Sequence, residues 1–272
     1  MWTLLKTAPA SAWFGMIVIA LIAFMGVFAD ILAPYSETEV VGPQYAPWSD
    51  EFILGTDNLG RDMLSRMIYG ARNTVGLALL TTAIAFSVGS FLGMLSALKG
   101  GWFDMILSRI VDVLMSIPSL ILALMILAIV GTSIINMVAV IALIYLAPVF
   151  RLARAAAQSI VVLDYVEAAK LRGEGTSRII WREVLPNITP TLVAEFGLRF
   201  CFVFLFIASL SFLGLGIQPP TADWGAMVKD NAILISFGDI TPLIPAGAIA
   251  LLTVSINFVV DWMLHKSSGL KE

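Results

Sequence analysis

Apolar residues fall in six long blocks, Trp13–Ala33, Thr74–Leu98, Ile110–Val130, Thr132–Phe150, Pro190–Gly214 and Ile240–Leu264, with polar residues gathered between them. Each block is close to the ~20 residues a helix needs to cross the hydrocarbon of a bilayer. A membrane β-barrel would show short alternating segments instead, and these blocks are continuous. The pattern predicts an all-α polytopic membrane protein with six transmembrane helices. Gly89 and Gly93 in the second block, and Ala246 and Ala250 in the sixth, are spaced so that helix backbones can approach closely. Packing within the chain is expected there rather than a seam between chains. Val27-Phe28-Ala29 offers a small-residue cleavage pattern, but the first block is longer than a signal-peptide core of about 7–15 residues. It is expected to stay as an uncleaved first span.

Composition agrees. The 272 residues are 59% hydrophobic and 13% charged, against about 45–50% and about 25% in soluble domains. Six spans place both termini on one side. Lys6, Lys99, Arg109, Arg151, Arg154, Lys170, Arg172, Arg178, Arg182, Arg199, Lys266 and Lys271 fall on that side, and only Arg61, Arg66, Arg72 and Lys229 on the other. Cytoplasmic flanks are enriched in Lys and Arg, so both termini are expected in the cytoplasm.

Candidate chemistry is sparse. Cys201 is the only cysteine, so no disulfide forms within the chain, and His265 is the only histidine, which excludes a His-rich metal cluster. No metal or cofactor is expected. There is no G-x-S-x-G elbow, no HExxH and no Gly-Lys-Ser/Thr phosphate loop, so the chain is not expected to be an enzyme. Ionisable residues inside a span are functional candidates by default. Arg109 and Asp112 lie three apart, and Glu195 and Arg199 four apart, so each pair can meet on one helix face. Asp261 lies a turn from a span end. Only Asp30 and Asp112 are kept as candidates for lining a path.

One charged, bent segment stands out, Asp164–Asn187. Asp164–Arg172 favours a helix, which Gly173 can end in the left-handed conformation. Ser177 is placed to cap a second helix, Arg178–Leu185, which Pro186 would end. Ile180 with Val184, and Trp181 with Leu185, give that helix a broad apolar face. Its acids, Asp164, Glu167, Glu174 and Glu183, balance Lys170, Arg172, Arg178 and Arg182. A polybasic lipid anchor or a nucleic-acid patch would be strongly basic. An apolar ridge rimmed by mixed charge, with Ile179, Ile180, Trp181, Val184 and Leu185 on it, predicts a protein-docking element.

Glu167-Ala168-Ala169, Gly173 and Leu185-Pro186 resemble the EAA loop of bacterial ABC importer permeases, spaced EAA-x3-G-x11-LP. Leu54–Arg72 ("LGTDNLGRDMLSRMIYGAR") and Ser211–Gly225 ("SFLGLGIQPPTADWG") resemble the C-type subunit of the dipeptide/oligopeptide group, and the likeness runs over nearly the whole chain. The chain departs at Glu174-Gly175, where many members read Ala-Ser. The resemblance implies a type I ABC importer permease fold in the bacterial inner membrane. It divides the chain into 1–73, a first span plus an extracytoplasmic loop, and 74–272, the core permease domain with its EAA loop at 164–187. It implies that Glu167, Ala168, Ala169, Gly173, Arg178, Trp181, Leu185 and Pro186 dock ATPases. The implied partners are a homologous B-type permease, two cytoplasmic ATPase subunits, an extracytoplasmic substrate-binding protein and membrane lipid, with no nucleic acid. The implied cargo is a di- or oligopeptide, with nickel chelates, glutathione or opines as alternatives.

The two further stretches carry physical expectations of their own. Asp57 is placed to cap a short helix whose stripe of Met63, Leu64, Met67 and Ile68 would lie on the membrane face. Trp224 in "GIQPPTADWG" suits the membrane interface. The resemblance implies that both loops contact a binding protein; the alternative is that they only cap the pore. A stand-alone secondary transporter is the rival reading. It would show inverted repeats and broken midplane helices, and neither is visible in the sequence.

Overall fold

The computed structural model describes residues 8–267. Lys6 and Lys271, two of the charges used to orient the chain, lie outside the described residues, as does the side chain of Lys266. The described residues are helical, with only isolated β-bridges. The long helices are α1 (Ala10–Val27), α2 (Met63–Lys99), α5 (Ile134–Val161), α7 (Thr176–Phe212) and α9 (Leu243–Ser267). Between them come α3 (Gly101–Ser116), α4 (Ser119–Val130), α6 (Asp164–Leu171) and α8 (Trp224–Asp230).

Five helices are long and apolar enough to cross a membrane. The expected third span, Ile110–Val130, is a broken one: α3 and α4 are apolar enough only together, which gives six spans when the pair counts as one, and they meet at 92°. Pro118 is the cause. Proline disfavours the helical conformation in the residue before it, and Ile117 is extended, with φ −95° and ψ 131°.

Two expected breaks are absent. The stripe Met63–Ile68 was expected on a separate surface helix capped by Asp57. It begins α2, which runs for 37 residues through a π-turn at Ala71–Val75. Residues 73 and 74 therefore sit inside one continuous helix. Asp62 is the cap, accepting from the Ser65 N–H at 2.7 Å. Met63, Met67 and Ile68 face protein, being at most 6% exposed. The second helix of the charged segment was expected to start with a Ser177 cap and to stop at Pro186. It starts at Thr176 without a side-chain cap and continues into the next span as α7, again 37 residues long. Proline clashes with the carbonyl four residues back and lacks an N–H. The π-turn at Ile180–Val184 widens the helix just before Pro186, which occupies the first turn after it.

Glycines set the closest packing. A Cβ on Gly93 would lie 2.7 Å from the Phe150 carbonyl oxygen and 2.8 Å from the Arg154 nitrogen, and one on Gly89 2.8 Å from the Leu146 carbonyl oxygen. The Gly89–Gly93 pair therefore packs α2 against α5 of the same chain, as expected. The sixth block differs, since Ala246 is half-buried and Ala250 exposed. A central cluster around Met137, Phe204, Ile207, Trp224 and Leu252 holds the bundle together. A second, around Met94, Ala153, Val166 and Ile180, seats the charged segment.

Gly93→Val should force α2 off α5, since over-packing costs about 1–3 kcal/mol. Gly76 has nothing within 4 Å of its Cβ position, so Gly76→Ala should leave stability unchanged or slightly raised. Thermal unfolding in detergent would check both, with a drop of several degrees for the first variant only.

Candidate functional site

At one end of the bundle α5 stops at Val161 and α6 begins. Asp164 and Glu167 lie in the first turn of α6 and Lys170 in its last, each placed to suit the helix dipole. Gly173 is left-handed, at φ +75°. Its N–H donates to the Lys170 carbonyl at 2.9 Å, and the Glu174 N–H donates to the Ala169 carbonyl at 3.1 Å. This is a Schellman closure, which satisfies the last carbonyls of a helix. Glu174 pairs with Arg172 at 2.8 Å and Arg178 at 3.9 Å. Arg172 holds the Glu174 carboxyl below the usual carboxylate range. The glutamate and glycine that depart from the resembled pattern thus build the turn.

The expected apolar ridge divides in two. Ile179, Ile180 and Val184 are buried with Val166 and Ala169, against Met94 of α2 and Ala153 and Ala157 of α5. They anchor the segment to its own chain. Left outward are Glu167, Arg178, Pro186 and Trp181, the last 58% exposed, with Ala168 and Leu185 half-buried. Gly173 is exposed between them. Leu171, which sequence reasoning passed over, is 82% exposed. An apolar residue that follows a charge and precedes a glycine stop was the signal for it. The Glu167 side chain has no hydrogen-bond or ion-pair partner among the described residues.

Beneath the segment, Arg154 of α5 grips both oxygens of Asp104 of α3, and Ser96 of α2 donates to the same carboxylate. Three helix ends are joined there. The expected Arg109–Asp112 ion pair is not among the ion pairs of the described residues; the pair made by α3 there is Asp104 with Arg154. The Glu195–Arg199 pair does form. Asp30, kept as a path candidate, is instead held by Arg72 at 3.0 Å.

At the opposite end, the two stretches singled out separately in the sequence interlock. Arg66 donates to the carbonyls of Glu37 at 2.8 Å and Pro220 at 3.2 Å. Asn73 donates to the Ala222 carbonyl at 2.9 Å, and Thr74 to Asp223 at 2.8 Å. Trp224 donates from Nε1 to the Met67 carbonyl at 3.0 Å and is 1% exposed. Its ring therefore packs against protein rather than facing lipid. A Cβ on Gly70 would lie 2.6 Å from its ring, so the indole fills a slot that only glycine leaves. Asp57 serves Arg61 at 2.7 Å and Arg66 at 3.3 Å rather than capping a helix. Asp223 caps α8 by accepting from the Ala226 N–H at 2.8 Å, and burial pushes its carboxyl pKa up. Among the described residues no group of three or more His, Cys, Asp and Glu is placed to hold a metal.

The chain matches the model of a family described as "Binding-protein-dependent transport system inner membrane component" over residues 89–267. It is 37% identical to the di/tripeptide transport system permease protein DppC of Pseudomonas aeruginosa over 254 residues, 91% of this chain and 84% of the relative. It is 37% identical to the peptide transport system permease protein SapC of Escherichia coli over 261 residues, covering 93% and 88%. It is 33% identical to the glutathione transport system permease protein GsiD of Pectobacterium atrosepticum over 254 residues, covering 91% and 82%.

The raised Asp223 pKa gives a pH dependence of definite sign. A carboxyl whose folded pKa lies above its unfolded value contributes stability that is present below about pH 4 and lost as pH rises through the folded value. Asparagine keeps the cap without a titrating proton. The stability of the native chain relative to Asp223→Asn should therefore fall as pH rises above about 4, read as the difference between their unfolding temperatures.

Proposed function

The chain belongs to the binding-protein-dependent transport system inner membrane component family, and on that premise we propose that it couples ATP hydrolysis in separate subunits to peptide movement through its helices. It is a transmembrane subunit of an ATP-binding-cassette importer for peptides. Glutathione, itself a tripeptide, is the second reading, favoured by the GsiD relative. The proposed assembly is this chain with a homologous B-type permease, two cytoplasmic ATPases and an extracytoplasmic binding protein. Both termini and the Asp164–Asn187 segment are placed in the cytoplasm.

One observation carries the coupling role. The exposed segment is not a flexible connector. Its turn is closed by the left-handed Gly173, and its second half is the start of α7, continuous for 37 residues into the membrane. A push on Trp181 is delivered to the span along one helix, and a push on Glu167 or Leu171 of α6 reaches it through the closed Gly173 turn. These three residues, with Ala168, Gly173, Arg178, Leu185 and Pro186, are the proposed docking face. Ala169, buried at 0% exposure, holds α6 in place from behind.

The docking face is tested by two variants in the assembled transporter. Gly173 has open space around its Cβ position but φ +75°, a conformation that costs a β-branched residue about 1–2 kcal/mol. Gly173→Val should misdirect α7 from α6. Glu167→Lys reverses a charge in the contact, a change that can cost about 2–5 kcal/mol. Both variants should insert normally, shed ATPases in a pull-down and lose transport. Normal transport with ATPases attached would reduce the segment to a connector. Orientation is tested by impermeant thiol labelling in a Cys201→Ala background. Ser36→Cys should label from outside and Ser177→Cys should not, and the reverse result would place the segment on the wrong side for ATPases.

A further inference from the structure

Glu195 and Arg199 form an ion pair inside α7, at a depth where a charge is expensive. The apolar stretch of α7 begins at Pro190, so Arg199 lies roughly 13 Å along the helix from there. On α5, Tyr145 lies roughly 16 Å from Ile134, counted from the opposite end. The two meet at one level, since the Tyr145 hydroxyl donates to the Phe202 carbonyl at 3.3 Å. With a hydrocarbon layer of about 30 Å, that level is near the middle of the membrane, so Arg199, counted above with the cytoplasmic flank, belongs to neither flank.

The pair is incompletely used. Arg199 donates to Glu195 from Nε at 3.0 Å and also from Nη2, both to Oε1. Arg199 Nη1 and Glu195 Oε2 have no hydrogen-bond partner among the described residues. The guanidinium lies 5.6 Å from the centre of the Phe202 ring, and Phe202 is 53% exposed. Tyr145 stands beside it with its ring edge-on to Phe206 at 5.5 Å. The free donor therefore opens onto an outward face of the chain. The same face of α7 continues through Leu205 and Ser209 to a groove of about 400 Å³ at the interlocked end, between α7, α8 and α9.

A half-satisfied charge pair does not face lipid, where a charge costs about 3 kcal/mol or more. It faces protein or a water-filled path. We propose that this face of α7 lines the translocation path, and that Arg199, steadied by Glu195 and flanked by Tyr145 and Phe202, receives the terminal carboxylate of the passing peptide. The inference rests on the peptide-importer reading. The chemistry fits such a cargo. A guanidinium with a free edge accepts a carboxylate. A neighbouring glutamate cancels its net charge, so the contact stays weak enough to release, as a transport step requires.

The test uses the complete reconstituted transporter with its binding protein and ATPases. Glu195→Gln with Arg199→Gln replaces the pair by neutral amides of similar size. Loss of a charged hydrogen bond corresponds to about a tenfold effect or more. ATP-driven uptake of trialanine should fall by about that factor, while uptake of trialanine amide falls less and the ATPases remain attached. Equal uptake of both peptides at the wild-type rate would overturn the proposal. Loss of subunit assembly would also overturn it, by making the pair a seam between permeases. Lining is read separately. In a Cys201→Ala background, Phe202→Cys should react with a small charged thiol reagent in one nucleotide state of the transporter, and Leu21→Cys on α1 should not. Failure of Phe202→Cys to react in every state would remove it from the path. A wild-type assembly that moves no tripeptide while Phe202→Cys still reacts would overturn the peptide cargo and keep the lining face.

Discussion

In the hydrocarbon of a membrane a backbone polar group has no water to bond, so each must be satisfied inside the protein. Helices meet that demand, and the chain's prolines strain it. Pro148 and Pro190 sit inside α5 and α7, and Pro186 sits where a soluble helix would stop. Each α7 proline is carried by a continuous helix, with the π-turn at Ile180–Val184 easing entry. Only Pro118 breaks its stretch, turning α3 from α4 by 92°. The continuity matters mechanically. A helix that survived Pro186 is a rod from the exposed segment to the interlocked end, whereas a helix that stopped there would leave a hinge.

The rod is held at both ends by different physics. At the charged end, apolar burial of Ile179, Ile180 and Val184 fixes α7 onto α2 and α5, with the Asp104–Arg154–Ser96 network tying helix ends beside it. At the other end, hydrogen bonds to backbone carbonyls do the work, and they require close approach. Trp224 reaches the Met67 carbonyl because Gly70 has no side chain. Between the ends, the bundle relies on glycine contacts such as Gly93 on α5. In lipid, where apolar burial offers little drive for helix association, close van der Waals contact of this kind takes its place.

Charge is distributed according to what can stabilise it. The exposed segment leaves Glu167 unpaired in water, where this costs little. The interlocked end buries Asp57 only with Arg61 and Arg66 beside it. The middle of α7 keeps Glu195 and Arg199 together and leaves one edge of each open.

Much of this was legible in the sequence. Apolar length alone gave helices and a membrane, because the hydrocarbon thickness fixes how many residues a span needs. The EAA spacing marked the charged segment, and Gly173 marked its left-handed turn, because only glycine takes φ +75° without cost. Gly89 and Gly93 announced close packing within the chain. Periodicity could not say which proline breaks a helix, since that depends on whether neighbouring turns can widen, as they do before Pro186 and do not at Pro118. It could not divide the apolar ridge into Ile179, Ile180 and Val184 facing inward and Trp181 facing outward, because burial is set by where α2 and α5 lie. Nor could it join Leu54–Arg72 to Ser211–Gly225. Residues some 150 positions apart, such as Arg66 with Pro220 and Met67 with Trp224, meet only when the helices between them fold back, and a linear pattern holds no measure of that return. Local conformation was written in the chain, and partnership across it was decided by packing.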